Sequence, residues 1–340
     1  MKKTNWLWST LVLCFLLIMQ TACTDPTPQQ TEELNIVSNY PEIEKISQLI
    51  KADPRNTELL YTRALAYQKL EGYDEAISDL TTAIKIDSSK IDYHHLLADI
   101  YLDYSKSYQA LNTMKNVAAI YPNRIPTLLK LSQFQLILKM NDESMSTLSK
   151  ILELDPQNAE AFFLRGLNYQ EKNITKSTIN SLQKAVELDP DITDAWIILG
   201  EILAAEKNPA AIQYFDNAVR VDPNNIAALH TKANYLQQNG SLLEAIEVYR
   251  NIIKLDPSYS DAYYNTGLAY LEMDSLTLAY RNFDIVIKTD PTNVSGYYFR
   301  GVSAQMKGEV AKAKNDYQQA INLAPDFEQA KKALNDLSKE

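Results

Sequence analysis

The sequence predicts an all-α solenoid of about eight stacked helix pairs, with one capping helix at each end. Three observations lead there. First, Pro54, Pro122, Pro156, Pro190, Pro223, Pro257, Pro291 and Pro325 are separated by 68, 34, 34, 33, 34, 34 and 34 residues, and Ser88 stands where a further proline would split the first interval. A fixed period of this length marks a repeated structural unit. Second, many of these prolines close an aliphatic–acid–proline corner, as in "SKILELDP" (149–156), "KAVELDP" (184–190) and "RNIIKLDP" (250–257). Proline lacks the next helical donor and its ring collides with the turn behind it, so each corner ends one helix and leads into the next. Third, small residues recur in register. With units starting at Thr57, Ile91, Ile125, Ala159, Thr193, Ile226, Ser260 and Val294, the eighth position reads Ala64, Ala98, Ser132, Gly166, Gly200, Ala233, Gly267 and Gly301. The twentieth reads Ala76, Ala110, Ser144, Thr178, Ala211, Ala245, Ala279 and Ala313. Two helices approach closely at such positions, and larger residues fill the gaps. Those are Phe162, Trp196, Tyr263 and Tyr297 at position 4, and Leu80, Leu182, Phe215, Tyr249, Phe283 and Tyr317 at position 24. One helix pair cannot bury its apolar face alone, so neighbours stack.

The N-terminal stretch "MKKTNWLWSTLVLCFLLIMQTAC" has Lys2 and Lys3 ahead of an apolar run from Leu7 to Met19. The run is short for a membrane span and fits a secretory signal. Thr21 and Ala22 then precede Cys23, an arrangement that resembles a bacterial lipoprotein signal, with Gln20 in place of the usual aliphatic residue. The resemblance implies removal of residues 1–22, lipid on Cys23 and a place in the bacterial cell envelope, at the outer membrane rather than the inner. Residues 23–40, which include "TDPTPQQTEELN", are polar and read as a flexible tether. Residues 41–56 read as an N-terminal capping helix with Ile43, Ile46, Leu49 and Ile50 as its apolar stripe. Eight units follow at 57–90, 91–124, 125–158, 159–192, 193–225, 226–259, 260–293 and 294–327. Residues 328–340 read as a C-terminal cap carrying Ala330, Ala333, Leu334 and Leu337 at helical spacing. The pattern departs locally at Gln135 and Ala304, which replace an aromatic at position 11. The fifth unit is one residue short at "KNPAA" (207–211), where Asn208 is expected to cap the second helix and Pro209 to sit in its first turn.

Composition narrows the function. The 340 residues are 46% hydrophobic with only 8 glycines, enough apolar content for a continuous core and too little glycine for a turn-rich β protein. Net charge is −10, so no basic stripe exists to replace phosphate counterions, which argues against nucleic acid. The only cysteines are Cys14 and Cys23. Beyond them no thiolate metal site, disulfide frame or cysteine nucleophile is possible.

"AEAFFLRGLNYQ" with "TINSLQKAVELDP", and "SDAYYNTGLAYLE" with "LAYRNFDIVIKTDP", resemble the tetratricopeptide repeat (TPR) family, and the resemblance runs from Thr57 to Phe327. It implies a right-handed superhelix whose concave groove, lined by first-helix positions 2, 5, 6, 9, 12 and 13, binds peptides. Position 5 here reads Tyr61, His95, Leu129, Phe163, Ile197, His230, Tyr264 and Tyr298. Position 9 reads Leu65, Asp99, Gln133, Leu167, Glu201, Asn234, Leu268 and Val302, and Asn265 occupies position 6 of the seventh unit. The expected groove residues are therefore Tyr61, His95, Asp99, Phe163, Glu201, His230, Asn234, Tyr264, Asn265 and Tyr298. Acids at positions 9, 12 and 13 (Asp99, Asp103, Glu171, Glu201, Glu272) face one base, Lys69, so a bound segment should be neutral to basic. The carboxylate clamp of chaperone-binding TPR domains would fall at His230, Asn234, Asn265, Ser295 and Phe299, and its three cations are missing.

No phosphate loop, serine elbow or His-Glu-x-x-His pattern is present. His94 sits at a core position, and adjacent His94 and His95 point about 100° apart on a helix, a poor metal pair. Asp99 and Asp103 read as a solvated helix face. The expectation is a non-catalytic protein-interaction scaffold without metal or cofactor, tethered to the envelope by lipid and gathering other envelope proteins. The alternative is an outer-membrane carbohydrate-binding or envelope-assembly accessory lipoprotein. A site built from His95, Asp99 and Asp103 is the enzymatic rival.

Overall fold

The computed structural model describes residues 40–338, which form eighteen α-helices and no strand. The expected signal segment, most of the tether and Cys23 lie outside the described residues. The chain divides into two compact units, residues up to Thr113 and residues from Met114 onward.

The first unit holds α1 (Pro41–Ala52), α2 (Thr57–Lys69), α3 (Tyr73–Ile86) and α4 (Ile91–Asp103), and the division falls within α5 (Ser107–Ile120). Ile43 of α1 joins Leu60, Ala64, Tyr67, Leu80, Tyr93, Leu96 and Ile100 in one buried cluster. The expected stripe of α1 is corrected at one place: Leu49 is 48% exposed, and Ser47 is buried in its stead. Ser47 shares the i, i+3, i+4, i+7 face with Ile43, Ile46 and Ile50, and its hydroxyl is satisfied there, since Arg63 Nη1 donates to Ser47 Oγ at 3.0 Å. The same guanidinium grips Asp79 through Nε and Nη2, both at 2.7 Å.

The second unit continues with α6 (Ile125–Ile137), α7 (Asn141–Leu154), α8 (Ala159–Glu171), α9 (Thr175–Leu188), α10 (Thr193–Ala205), α11 (Ala211–Val221), α12 (Ile226–Gln238), α13 (Leu242–Leu255), α14 (Ser260–Glu272), α15 (Leu276–Thr289), α16 (Val294–Met306), α17 (Val310–Leu323) and α18 (Glu328–Leu337). Consecutive helices pack as hairpins joined by short turns. Leu148, Leu182, Phe215, Tyr249, Phe283 and Tyr317, one from each second helix, are fully buried. They enter the space that the small eighth-position residues leave: a Cβ added at Gly166 would meet Leu182 at 2.6 Å, and one at Gly267 would meet Phe283 at 2.8 Å.

The corners show why an acid precedes the proline. The carboxylates of Asp155, Asp189, Asp222, Asp256 and Asp290 each accept the backbone N–H two residues on. Each acid thus folds the chain back just past its helix end. Asn158, Asn225 and Asn293 then cap the next helix by accepting from Ala161, Ala228 and Gly296. The fifth repeat departs from expectation. Asn208 Oδ1 accepts from Ala210 N at 3.0 Å, so Asn208 and Pro209 build a turn ahead of the helix and α11 starts only at Ala211. α11 thus has 11 residues where α13 has 14: one is the missing residue, and the turn takes Pro209 and Ala210.

Arg300 closes the last hairpins. Its Nε and Nη2 donate to Asp316 at 3.0 and 2.6 Å, and its Nη1 donates to Asp284 at 2.6 Å. Arg63 and Arg300 each reach an acid sixteen residues ahead and a polar partner sixteen residues behind. One clamp therefore recurs in the first repeat and the last. On α18, Ala330 and Leu337 are buried and Ala333 and Leu334 pack partly against them.

Candidate functional site

In the first unit, the expected groove residues come from α2 and α4. Tyr61 is half-buried and stacks on Tyr93, with centroids 5.1 Å apart. Burial pushes its hydroxyl pKa up. His95 and Asp99 are half-buried, and both have partners. Gln68 donates to Asp103 at 2.8 Å, tying α2 to α4. His94 Nε2 lies 3.1 Å from the Ser88 carbonyl. Trp196 Nε1 donates to the Pro190 carbonyl at 2.8 Å from the equivalent place in its own repeat, so His94 acts as a corner staple.

In the second unit, α12 and α14 bring His230, Asn234 and Asn265 together. Asn234 Nδ2 lies 3.4 Å from His230 Nδ1, and Asn265 Nδ2 lies 3.2 Å from His230 Nε2. The Tyr249 hydroxyl, on α13, sits 2.6 Å from Asn234 Oδ1 and 3.0 Å from Gln237 Oε1. A neutral imidazole has one N–H, and a hydroxyl has one proton. Turning the Asn234 amide over satisfies every group. His230 Nδ1–H then donates to Asn234 Oδ1, Asn234 Nδ2 donates to the Tyr249 oxygen, Tyr249 donates to Gln237, and Asn265 donates to His230 Nε2. Burial lowers the His230 pKa, with Asp261 pulling the other way, in keeping with a neutral ring. The Tyr259 ring meets His230 edge-on at 5.7 Å.

The aromatic positions sit among other rings. Tyr264 meets Phe283 and Phe299, each with centroids 5.8 Å away. Tyr298 contacts Phe299, Tyr317 and Phe327 at 5.0, 5.7 and 5.3 Å. Phe163 packs partly against the clusters on both sides of α8. All three remain half-buried and keep part of their surface in solvent. Glu201 lines a cavity of about 660 Å³ with Thr231, Asn234, Tyr235, Gln238 and Asn239. A second cavity of about 350 Å³ lies against Asn234, Gln237, Gln238, Asn265 and Glu272.

Sequence reasoning missed Tyr249, Gln237, Gln238 and Tyr235. The glutamines stand at positions 12 and 13 of their repeat, so they were within reach of the same register. Tyr249 occupies a core position, and only the fold shows that its buried hydroxyl reaches the amides of Asn234 and Gln237. The arrangement offers hydrogen-bond donors and acceptors, ring surface and carboxylates. Among the described residues, no group of three or more His, Cys, Asp or Glu is placed to hold a metal. No helix among them is long and apolar enough to cross a membrane.

Fold and site define a helical-hairpin repeat protein whose first helices present a polar, ring-bearing face. Tetratricopeptide repeat models match residues 57–90, 294–327 and 179–229, and a TPR repeat model matches 233–274. The chain is a tetratricopeptide-repeat protein. Arrays of this repeat generally act as protein-interaction scaffolds without catalysis. No curated protein matches the chain. Among solved structures, the C-terminal part of a TPR repeat-containing protein from Cytophaga hutchinsonii is 16% identical, covers 70% of this chain and 98% of its own, and superposes with a TM-score of 0.59. The Cut9–Hcn1 hetero-tetramer of APC/C matches at 14% identity and TM-score 0.51, over 87% of this chain and 58% of that one. YrrB, described as a TPR protein with an unusual peptide-binding site, matches at 22% identity and TM-score 0.46, over 54% of this chain and 95% of its own.

Proposed function

We propose that this protein is a non-catalytic adaptor, held at the bacterial cell envelope by lipid on Cys23, that binds segments of other envelope proteins on the first-helix face of its repeats. The observation that carries the binding role is the His230–Asn234–Asn265 network beside two open cavities. A preorganised row of amides at the edge of a cavity suits the N–H and C=O groups of a partner backbone, because their ordering cost is met before binding. Glu201 and Glu272 on the same face favour a neutral to basic segment. The tether rests on the sequence before Cys23. Acyl chains stabilise membrane attachment by about 0.8 kcal/mol per buried methylene, so losing them should be visible.

The experiment is fractionation with affinity capture. Cys23→Ser should move the protein from membranes to the soluble fraction. Wild type cross-linked in its own cells should bring down a reproducible set of proteins, and Asn234→Ala with Asn265→Ala should lose them while circular dichroism stays helical. A Cys23→Ser variant that stays in the membrane fraction contradicts the lipid tether. Unchanged capture by the double variant contradicts the binding face.

A further inference from the structure

The larger cavity brings together a carboxylate, an aromatic ring and several hydrogen-bond acceptors. The Glu201 carboxylate lines it, and among the described residues no ion pair neutralises that carboxylate. Lys207 stands on the same rim and makes no ion pair with it. Phe215 and Tyr235 lie against the cavity with ring centroids 5.4 Å apart. Acceptors stand beside them: Asn239 uses its amide N–H on the Tyr235 carbonyl at 2.8 Å and Thr231 its hydroxyl on the Ala227 carbonyl at 2.9 Å, leaving both oxygens to accept, and Gln238 and Asn234 complete the lining.

We infer that this cavity takes the lysine or arginine side chain of a partner protein. The inference rests on the reading of the first-helix face as the binding face, and it names the side chain that the face selects. A carboxylate without its own cation attracts an ammonium or guanidinium. The half-buried Tyr235 ring, backed by the buried ring of Phe215, adds the attraction of an aromatic face for the same cation. Amide and hydroxyl oxygens accept its N–H groups, and both groups are pure donors. An anion would instead meet Glu201. At about 660 Å³ the cavity is large enough for a long side chain with the backbone that carries it. Glu201 is exposed at the cavity rim, where a partner's cation can reach it, and partial desolvation of its carboxyl raises its pKa. The chain's net charge of −10 points the same way for a partner's sign.

The test selects twelve-residue peptides from a random displayed library on the full-length chain in detergent. One selected peptide is then measured by fluorescence anisotropy on wild type, Glu201→Gln and Asn234→Ala/Asn265→Ala. The expected result is a lysine or arginine at a shared position. Replacing that residue by alanine, or Glu201 by Gln, should weaken binding at least tenfold with helicity unchanged. Peptides that depend on the two asparagines but carry no shared basic residue, or that bind Glu201→Gln equally well, overturn the cation pocket and leave the binding face standing. Peptides indifferent to the asparagines, or no enrichment at all, overturn both. Spermidine alone, titrated by calorimetry, should bind far more weakly than the peptide; equal affinity would overturn a protein side chain as the occupant.

Discussion

Gly200 on α10 faces the ring of Phe215 on α11 so closely that a Cβ on Gly200 would lie 2.5 Å from the ring. No carbon tolerates that approach without displacing the ring from its packed place, where Phe215 is 1% exposed. Gly200→Leu should therefore destabilise by about 1–3 kcal/mol or more through overpacking. A lower melting midpoint by circular dichroism is the expected outcome. An unchanged melt would mean that the repeat register is wrong.

The turn inside each repeat requires positive φ at one place. Glu71, Ser105, Lys139, Asn173, Lys207 and Asp274 all adopt φ between 56° and 59° there, and Gly240 and Gly308 take φ of 77° and 78°. L side chains crowd the backbone in this region, whereas glycine does not. Lys139→Gly and Asp274→Gly should each raise stability by a few tenths to about 1 kcal/mol, and Gly240→Ala should lower it by a similar amount. Chemical denaturation of the three variants checks the sign.

Arg300 holds Asp316, which is 1% exposed. Arg300→Leu leaves that carboxylate buried without its cation, which costs about 3–5 kcal/mol. Replacing both partners by apolar residues should cost much less. A double-mutant cycle on urea midpoints measures the difference, and equal losses in the single and double variants would contradict the clamp.

The corner acids make stability fall in acid. Hydrogen bonds from Ser89, Ser258 and Thr292 hold the carboxyls of Asp87, Asp256 and Asp290 below the ordinary aspartate value. Their folded pKa values are depressed. The stabilisation is therefore complete above the unfolded value near 4 and is lost as pH falls through the folded values. His230 runs in the same direction higher up. Its folded pKa lies below the usual value of 6.5, so its contribution is complete above 6.5 and is lost as pH falls through the folded pKa. The melting midpoint should decline from pH 7 downward. His230, followed by NMR, should titrate below 6.5, and a value above 6.5 would contradict the neutral-ring network.

The fold could be read from the sequence because repetition multiplies weak signals. One glycine against one ring means little, but Gly166, Gly200, Gly267 and Gly301 in register with Leu182, Phe215, Phe283 and Tyr317 specify a helix–helix contact. Single-copy features stayed hidden. Leu49 lies beside the apolar stripe of α1, but Ile43, Ile46, Ser47 and Ile50 share the i, i+3, i+4, i+7 face that packs inward, and the leucine stays in solvent. Asn208 has the right chemistry for a cap, but a one-residue deletion displaces the helix start. At the candidate site, register gave Asn234, Asn265 and His230 as neighbours on one face. It could not show that Tyr249 reaches them from the core, or how far Tyr264 and Tyr298 lean on other rings, because a position in a repeat does not encode which way a hydroxyl or ring turns.

The central claim is that partners bind the first-helix face. Gln238 is exposed on that face and lines both cavities, whereas Leu243, 67% exposed, lies outside both on the neighbouring second helix, α13. A photo-crosslinking residue placed at each position in turn, in cells that natively make the protein, tests the claim most directly. The account predicts discrete protein adducts from Gln238 and none from Leu243. Adducts from Leu243 with none from Gln238 would contradict it.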